Sequence, residues 1–382
     1  MLVALICSVI FISFLVYEAI YACRVRNRIK LRIAVTGVRG KSSVTRLITL
    51  ALKQSGMRVL GKVTGSRAFL IYPNGEEEII KRKRKPSVTE QIRVLLRTAK
   101  NQGVDSFVSE TMSVSPEILR CEIQNILKPH IVVITHLCVD HVQELGNTID
   151  QVRKNIVSVC NFNSTVITLK GNLDSSSIEV LKKKKCKVIE VEVRNEVPKP
   201  VDYIEFDENL ALAYAVSEFL GLKEKTKDSL RKASGDIGAL RCWKLHNGVI
   251  FVNGFAANDP DSTIRVFNMA KEFLAHNGLS SSKFVGILNL RSDRVDRTLQ
   301  WLKQMKTWFP FERLYVTGPD NVLFARRIKD SRCLPVKPET ILDEIERLDP
   351  QTVVFGFGNI AGVGLKLIDQ LQESERCLRL QP

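Results

Sequence analysis

The sequence predicts an α/β protein built on largely parallel sheets and carried on one apolar N-terminal segment. Three observations predict this class. Strand-like and helix-like segments alternate along most of the chain, a glycine-rich turn with a lysine joins the first strand to the first helix of the body, and residues 2–23 are almost wholly apolar. At about 150 residues per domain, the 382 residues make two domains, with room for a third. Hydrophobic residues make up 45% and charged residues 26%, which excludes disorder, collagen and coiled coil as the main architecture. The nine cysteines never come closer than sixteen positions, so neither a disulfide framework nor a zinc site is indicated, and the five histidines form no i, i+4 pair.

The apolar segment comes first. At about 1.5 Å per residue, residues 2–23 are long enough to cross a bilayer as a helix. Glu18 is its one charge, and Tyr17 and Tyr21 suit the interface. No Lys or Arg precedes it, while Arg24, Arg26, Arg28, Lys30 and Arg32 follow. That asymmetry predicts a single-pass anchor in the cell membrane, with the N-terminus outside and the body in the cytoplasm. A cleaved signal peptide needs a basic region before the apolar run, which is missing; a buried core helix is the other alternative. The net charge of +16, from 57 Lys+Arg against 41 Asp+Glu, gathers in this flank, in Lys81–Lys85 and in Lys182–Lys187. Such runs are solvated faces or surfaces for anionic lipid, nucleic acid or an acidic substrate. They lack interleaved aromatics, which argues against nucleic acid.

The body follows. Apolar runs predict strands at 31–36, 58–63, 104–109, 130–135, 164–169, 187–191, 248–252, 284–289, 312–317 and 352–356. Helical patterns fall at 41–55, 89–102, 148–160, 207–220, 261–276, 294–307 and 360–372. This alternation is that of right-handed βαβ units. A break near 235–247 divides the chain into an anchor with its basic flank (1–30), a central domain (31–240) and a smaller Rossmann-like C-terminal α/β domain (241–382). No internal repeat is evident.

The strongest chemical signal is Gly37-Val38-Arg39-Gly40-Lys41-Ser42-Ser43, directly after a strand and opening a helix. Glycines let backbone amides close around phosphate oxygens, and the helix dipole adds to the attraction. Lys41 is placed to reach terminal phosphates and Ser42 to ligate Mg²⁺. Strict Walker A spacing needs glycine at Val35, so this is a shortened loop; a glycine turn with a surface lysine is the alternative. Glu110 and the pair Asp140-His141 follow the ends of two further strands, where an open parallel sheet places its ligand crevice. A carboxylate suits Mg²⁺ and a neutral imidazole also ligates metals; an exposed loop acid and a helix-capping histidine are the competing readings. Arg291, Asp293, Arg294, Asp296 and Arg297 crowd after another strand, either as a salt-bridged helix start or as guanidinium forks for carboxylates. Gly356-Phe357-Gly358-Asn359 ends the last strand, as a tight turn or a close approach to ligand.

Taken in order, VTGVRGKSSVTRL, VSETMSVSPE, THLCVDHVQELG, GALR, FVNGFAANDPDST, NLRSDRVDRT and FGFGNIAG resemble the Mur ligase superfamily. Within it they resemble the ligase subunits of poly-γ-glutamate synthases, across nearly the whole chain. The resemblance implies a Mur-ligase-like central P-loop ATPase domain that activates a γ-carboxylate with ATP and Mg²⁺ as an acyl phosphate, which an amine then attacks. It implies Lys41 on the β/γ-phosphates, Ser42 and Glu110 on one Mg²⁺, His141 on a second, Arg241 on nucleotide phosphate, and Asn253 and Asn258 in a nucleotide-contacting segment. Asn253 stands where relatives carry aspartate. Position 156, where muramyl ligases carry a carbamylated lysine, is Ile156, with Lys154 nearby. The anchor leaves no room for a UDP-binding domain. The implied substrates are glutamate and poly-γ-glutamate, held by Arg291, Asp293, Arg294 and Arg297. The implied partners are the membrane and the integral-membrane and transport or release subunits of a synthase complex; a homo-oligomer stays open. Two other classes fit the phosphate loop: an anchored kinase or NTPase regulating envelope polymer synthesis, and a nucleotide-sensing scaffold.

Overall fold

The computed structural model describes residues 2–65, 67–82, 87–94, 103–194, 196–292, 295–373 and 377–382. The chain separates into two compact units: residues 1–198 with 206–231, and residues 199–205 with 232–382.

Unit 1 opens with α1 (Leu2–Arg28), which runs five residues past the apolar segment. It is long and apolar enough to cross a membrane, at a mean hydropathy of 2.4, and its apolar window is wholly exposed. There follow β1 (Leu31–Thr36), α2 (Lys41–Gln54), β2 (Val59–Val63), β3 (Phe69–Ile71), β4 (Glu77–Ile79), α3 (Thr89–Arg93), β5 (Ser106–Glu110) and α4 (Pro116–Arg120). A π-helical segment (Cys121–Leu127) leads to β6 (Ile131–Ile134), α5 (Val142–Leu145), α6 (Ile149–Val159), β7 (Thr165–Leu169), α7 (Ser175–Lys183), β8 (Lys187–Val191), α8 (Asp207–Phe219) and α9 (Lys223–Arg231). The sheet order is β4-β3-β2-β5-β1-β6-β7-β8. All neighbours from β2 to β8 pair in parallel, while β3 and β4 add antiparallel at one edge. The central strands β1, β5 and β6 are buried on both faces, and β6 accordingly reads as a continuous apolar run. One face packs Ile123, Val132, Ile134, Ile156 and Val166; the other packs Ile29, Ala34, Leu60 and Phe107.

Unit 2 contains β9 (Cys242–Leu245), β10 (Ile250–Asn253), α10 (Pro260–His276), β11 (Phe284–Asn289), α11 (Val295–Gln304), β12 (Arg313–Thr317), α12 (Asn321–Ile328), β13 (Cys333–Pro335), α13 (Ile341–Glu346), β14 (Val353–Phe357), α14 (Val363–Glu373) and β15 (Cys377–Leu380). Its sheet runs β13-β12-β11-β14-β10-β9-β15, parallel from β13 to β10 and antiparallel at the β9–β15 edge.

Each expected strand is present within two residues at either end. The short strands β3, β4, β9, β13 and β15 and the helices α4, α5, α7, α12 and α13 lie outside the segments the sequence pattern predicts. The expected helix 89–102 is described only as far as Val94, and residues 95–102 lie outside the described residues. The basic flank is not simply a solvated or lipid-facing run. Arg26 and Arg32 are 8% and 9% exposed. Arg26 donates to the carbonyls of Asn125 and Ile126, and Arg32 to those of Arg26, Ile29, Leu127 and Lys128. The base of α1 is thereby fastened to the end of the π-helical segment.

Candidate active site

The phosphate loop joins β1 to α2 at the centre of the unit 1 sheet. Gly37 and Gly40 have φ of 128° and 83°, the left-handed range that favours glycine. A Cβ on Gly37 would lie 2.4 Å from Thr135 Oγ1, and one on Gly40 2.2 Å from Asn209 Oδ1, so neither can gain a side chain in place. The loop is pinned from beneath, because the Val38 and Arg39 amides both donate to the His136 carbonyl, at 3.1 and 3.2 Å. Gly40 stands at the N-cap of α2 and supplies no side-chain cap, and the first turn carries no acid. The N-cap thus offers the leading amides of α2 no side-chain acceptor, the arrangement that receives an anion. By contrast, α6, α7 and α10 are capped by Thr148, Asp174 and Asp259.

Lys41 folds back over the loop. Its ammonium donates to the carbonyls of Gly37 at 2.9 Å and Val38 at 3.2 Å. Burial lowers its pKa, while the nearby Glu110 opposes the shift. Ser42 Oγ donates to Glu110 Oε2 at 2.9 Å, and the Thr64 amide donates to the same oxygen at 2.6 Å. Glu110 is 3% exposed. A Cβ on Gly65 would lie 2.4 Å from Ser42 Oγ, so the turn after β2 lies close against the pair. These are the donors an Mg–nucleotide needs from protein: a hydroxyl, a carboxylate, a lysine and a ring of amides. They fit that group.

Arg39 pairs with Asp140 at 2.7 Å. Asp140 also accepts from the His141 amide at 2.7 Å, and His141 Nε2 is 4.0 Å from the other Asp140 oxygen. His141 takes a left-handed φ of 49° at the start of α5. The structure thus brings Lys41, Ser42 and Glu110 into one cluster and Arg39, Asp140 and His141 into an adjoining one. Ile156 is buried in the core and Lys154 is exposed. Among the described residues no three His, Cys, Asp or Glu side chains gather as a metal site. Mg²⁺ commonly relies on one or two carboxylates with phosphate and water.

A buried polar layer behind Glu110 had no spacing signal in the sequence. Gln91 Nε2 donates to the Glu110 carbonyl at 3.3 Å and to Glu122, and the Ser109 hydroxyl donates to Gln91 at 3.3 Å. Glu122, on the π-helical segment, accepts from the Met112 and Ser113 amides at 3.0 and 3.3 Å. Burial raises the Glu122 pKa against those donors. Lys62, fully buried, pairs with Glu90 at 3.0 Å, and Arg82 pairs with Glu90 at 2.7 Å. Arg82 is thus the one member of the Lys81–Lys85 run with a described ion pair; residues 83–85 lie outside the described residues.

In unit 2 the expected nucleotide residues face inward. Asn253 is fully buried; its Nδ2 donates to the carbonyls of Ile237 and Ala239 at 3.0 Å each, and its Oδ1 accepts from the Phe255 amide at 3.3 Å. Arg241 is 5% exposed and donates to the carbonyls of Gly235 and Asp236 at 2.7 and 2.6 Å and to Asp202 at 2.8 Å. Burial would raise the Asp202 pKa, but hydrogen bonds from Arg241 and Arg379 outweigh it and hold the carboxyl below its ordinary value. Asn258 is partly exposed. Arg297 is 7% exposed and donates to Gln300 at 2.9 Å, and Arg291 is partly exposed. Asp293 and Arg294 lie outside the described residues.

Family models match the two halves separately: the Mur ligase middle domain over residues 35–220, and the poly-gamma-glutamate synthase CapB C-terminal domain over residues 243–374. The capsule biosynthesis protein CapB of Bacillus anthracis is 30% identical over 387 aligned positions, covering 97% of this chain and 82% of that protein. The chain belongs to the CapB family. The PGA synthase CapB of Bacillus subtilis is 29% identical, covering 91% of each chain. Among solved structures, Escherichia coli FolC in complex with DHPP and ADP has a TM-score of 0.66 at 14% identity, covering 93% of each chain. The folylpolyglutamate synthase/dihydrofolate synthase of Yersinia pestis, complexed with AMPPNP and Mn, has a TM-score of 0.64 at 16% identity, covering 92% of each. These share the fold, and this CapB-family chain is an ATP-dependent amide-forming ligase.

Proposed function

We propose that this ligase is anchored in the cell membrane by α1, with its body in the cytoplasm, and polymerises glutamate through its γ-carboxylate into poly-γ-glutamate. The observation that carries the reading is the uncapped α2 start with Lys41, Ser42 and Glu110 gathered around it. A carboxylate is a poor electrophile, and phosphorylation by ATP turns its oxygen into a leaving group. The amides at the start of α2, from Gly40 to Ser43, would cradle the phosphates, and Lys41 would exchange its two carbonyl partners for phosphate oxygens. Ser42 and Glu110 would hold Mg²⁺, whose charge would offset that of the phosphoryl group. Thr64 and Gln91 keep Glu110 oriented. His141, next to Asp140, is the protein ligand for a second ion. Asn258 and Arg291 are the partly exposed candidates for nucleotide and for acidic substrate; Asn253 and Arg241 hold the backbone of residues 235–239, and Arg297 holds the Gln300 side chain. The CapB names of the relatives supply the polymer, and the synthase-complex subunits remain the proposed partners.

The test is hydroxylamine trapping. Membranes carrying the full chain and its partner subunits, given Mg–ATP and glutamate, should yield glutamyl hydroxamate, and Lys41→Ala membranes should not. ATP hydrolysis indifferent to glutamate, with no hydroxamate, would overturn the ligase assignment of the site in favour of a kinase or NTPase.

A further inference from the structure

The turns preceding the parallel strands of unit 1 lie together at the end of the sheet opposite the phosphate loop. Backbone bonds stitch them in series: the Asp105 amide to the Arg58 carbonyl, Leu31 to Asp105, His130 to Arg32, Thr165 to His130, and Lys187 to Ser164. The base of α1 is fastened to this same end through Arg26, Ile29 and Arg32. Only Ile29 and Lys30 separate α1 from β1, and Ile29 is 2% exposed. From Arg24 to Lys30 the chain climbs about 10 Å at helical rise, comparable to the Debye length of about 8 Å at physiological salt. A bilayer crossed by residues 2–23 therefore lies within electrostatic reach of these turns.

Their composition suits that neighbour. Residues 29–30, 55–58, 103–105, 128–130, 160–164 and 184–186 hold five basic residues, Lys30, Arg58, Lys128, Lys184 and Lys185, against one acid, Asp105. Lys30, Lys128 and Lys185 are exposed, as is Lys187 at the start of β8. Among them Phe162 is 63% exposed at the tip of the turn before β7, with Lys184 Nζ 5.9 Å from its ring centre. Asn161 ties that turn to the one before β6 through the Pro129 carbonyl at 3.0 Å. An exposed aromatic ring with an ammonium beside it, on a basic face next to an apolar helix of membrane-crossing length, is the composition of an interfacial contact.

We infer that this end of unit 1 is a seat on an anionic lipid surface: Lys30, Lys128, Lys185 and Lys187 face acidic headgroups, and Phe162 enters the interface. The inference rests on the membrane-anchor reading of α1, and the experiment separates the two. Full-length Phe162→Trp protein is reconstituted into phosphatidylcholine–phosphatidylglycerol vesicles brominated on the upper acyl chain. The native chain, whose three tryptophans all lie in unit 2, serves as baseline. Emission from the introduced indole, taken as the difference from that baseline, should be quenched by the brominated lipid. The seated-to-unseated ratio should fall about fivefold for each of Lys128, Lys185 and Lys187 changed to Gln. Flotation after an alkaline wash reports the anchor independently. Protein that fails to float removes the anchor and the seat with it. Protein that floats with the introduced indole unquenched, or equally quenched in pure phosphatidylcholine, keeps the anchor and overturns the seat. Emission that answers to added polyglutamate and not to brominated lipid overturns it too, and assigns the surface to the polymer.

Discussion

The loop after β1 and the loop after β10 occupy equivalent places, each running from the end of a parallel strand into a helix, yet their polar groups point opposite ways. After β1 the helix start is uncapped, and its half-buried lysine, Lys41, holds only carbonyls among its described hydrogen bonds. After β10 the helix start is closed by Asp259 and Pro260, and Asn253 turns its whole amide into the backbone. The first loop is built to receive charge and the second to hold shape. Similar strand–loop–helix motifs therefore do not imply similar work, and the distinction lies in which groups the fold leaves unsatisfied.

Four substitutions would break or sharpen that contrast. Lys41→Ala should cut amide-forming turnover by about 10³-fold, since the phosphoryl charge loses its nearest cation. Its melting temperature should not fall, because a buried ammonium is removed. A mutant that melts early and keeps its turnover would place Lys41 among the shape-holding residues. Glu110→Gln should cost about 10²-fold at limiting Mg²⁺ and recover in part at high Mg²⁺; a loss independent of metal would reverse the assignment. Asn253→Ala should behave oppositely, leaving two carbonyls and an amide without partners at a cost of about 1–3 kcal/mol. At about 2–4 °C per kcal/mol, calorimetry should detect the loss while the KM for ATP stays near wild type. The smallest effect calibrates what a capped helix is worth. The exposed Asp174 carboxyl is held down to about 2 by hydrogen bonds from Ser177 and Ser176. A depressed carboxyl stabilises above its unfolded value near 4 and loses that contribution as pH falls toward 2. Asp174→Ala should thus cost about 0.5–1 kcal/mol at neutral pH, and the gap from wild type should close in acid.

The parts of this architecture visible in the sequence are those encoded contiguously. The phosphate loop occupies seven consecutive positions, and β1 and β6 are buried on both faces, so β6 shows as an unbroken apolar run and β1 as one broken only by Arg32 before its terminal Thr36. β4 is exposed at an edge and carries two glutamates, so it has no such run. Thr64, Gln91 and Glu122 converge on Glu110 from separate elements, and no spacing rule links them. Arg26 and Arg32 are hidden for a related reason: a basic run looks alike whether it faces solvent or backbone carbonyls, and here the π-helical end and the base of α1 supply those carbonyls. Arg241 and Asn253 carry the chemistry of ligand contacts, but tertiary folding has already given them partners.

On the anchor reading proposed above, the two-residue join between α1 and β1 makes α1 a stalk without a hinge. A flexible tether would let the body tumble and sample the bilayer from any side. Here the phosphate loop stands at a fixed height, one strand length or about 20 Å beyond the stalk's base, and points away from it. On the proposed reading, a polymer that starts there heads away from the bilayer, and its route to the membrane runs back along the flank of unit 1.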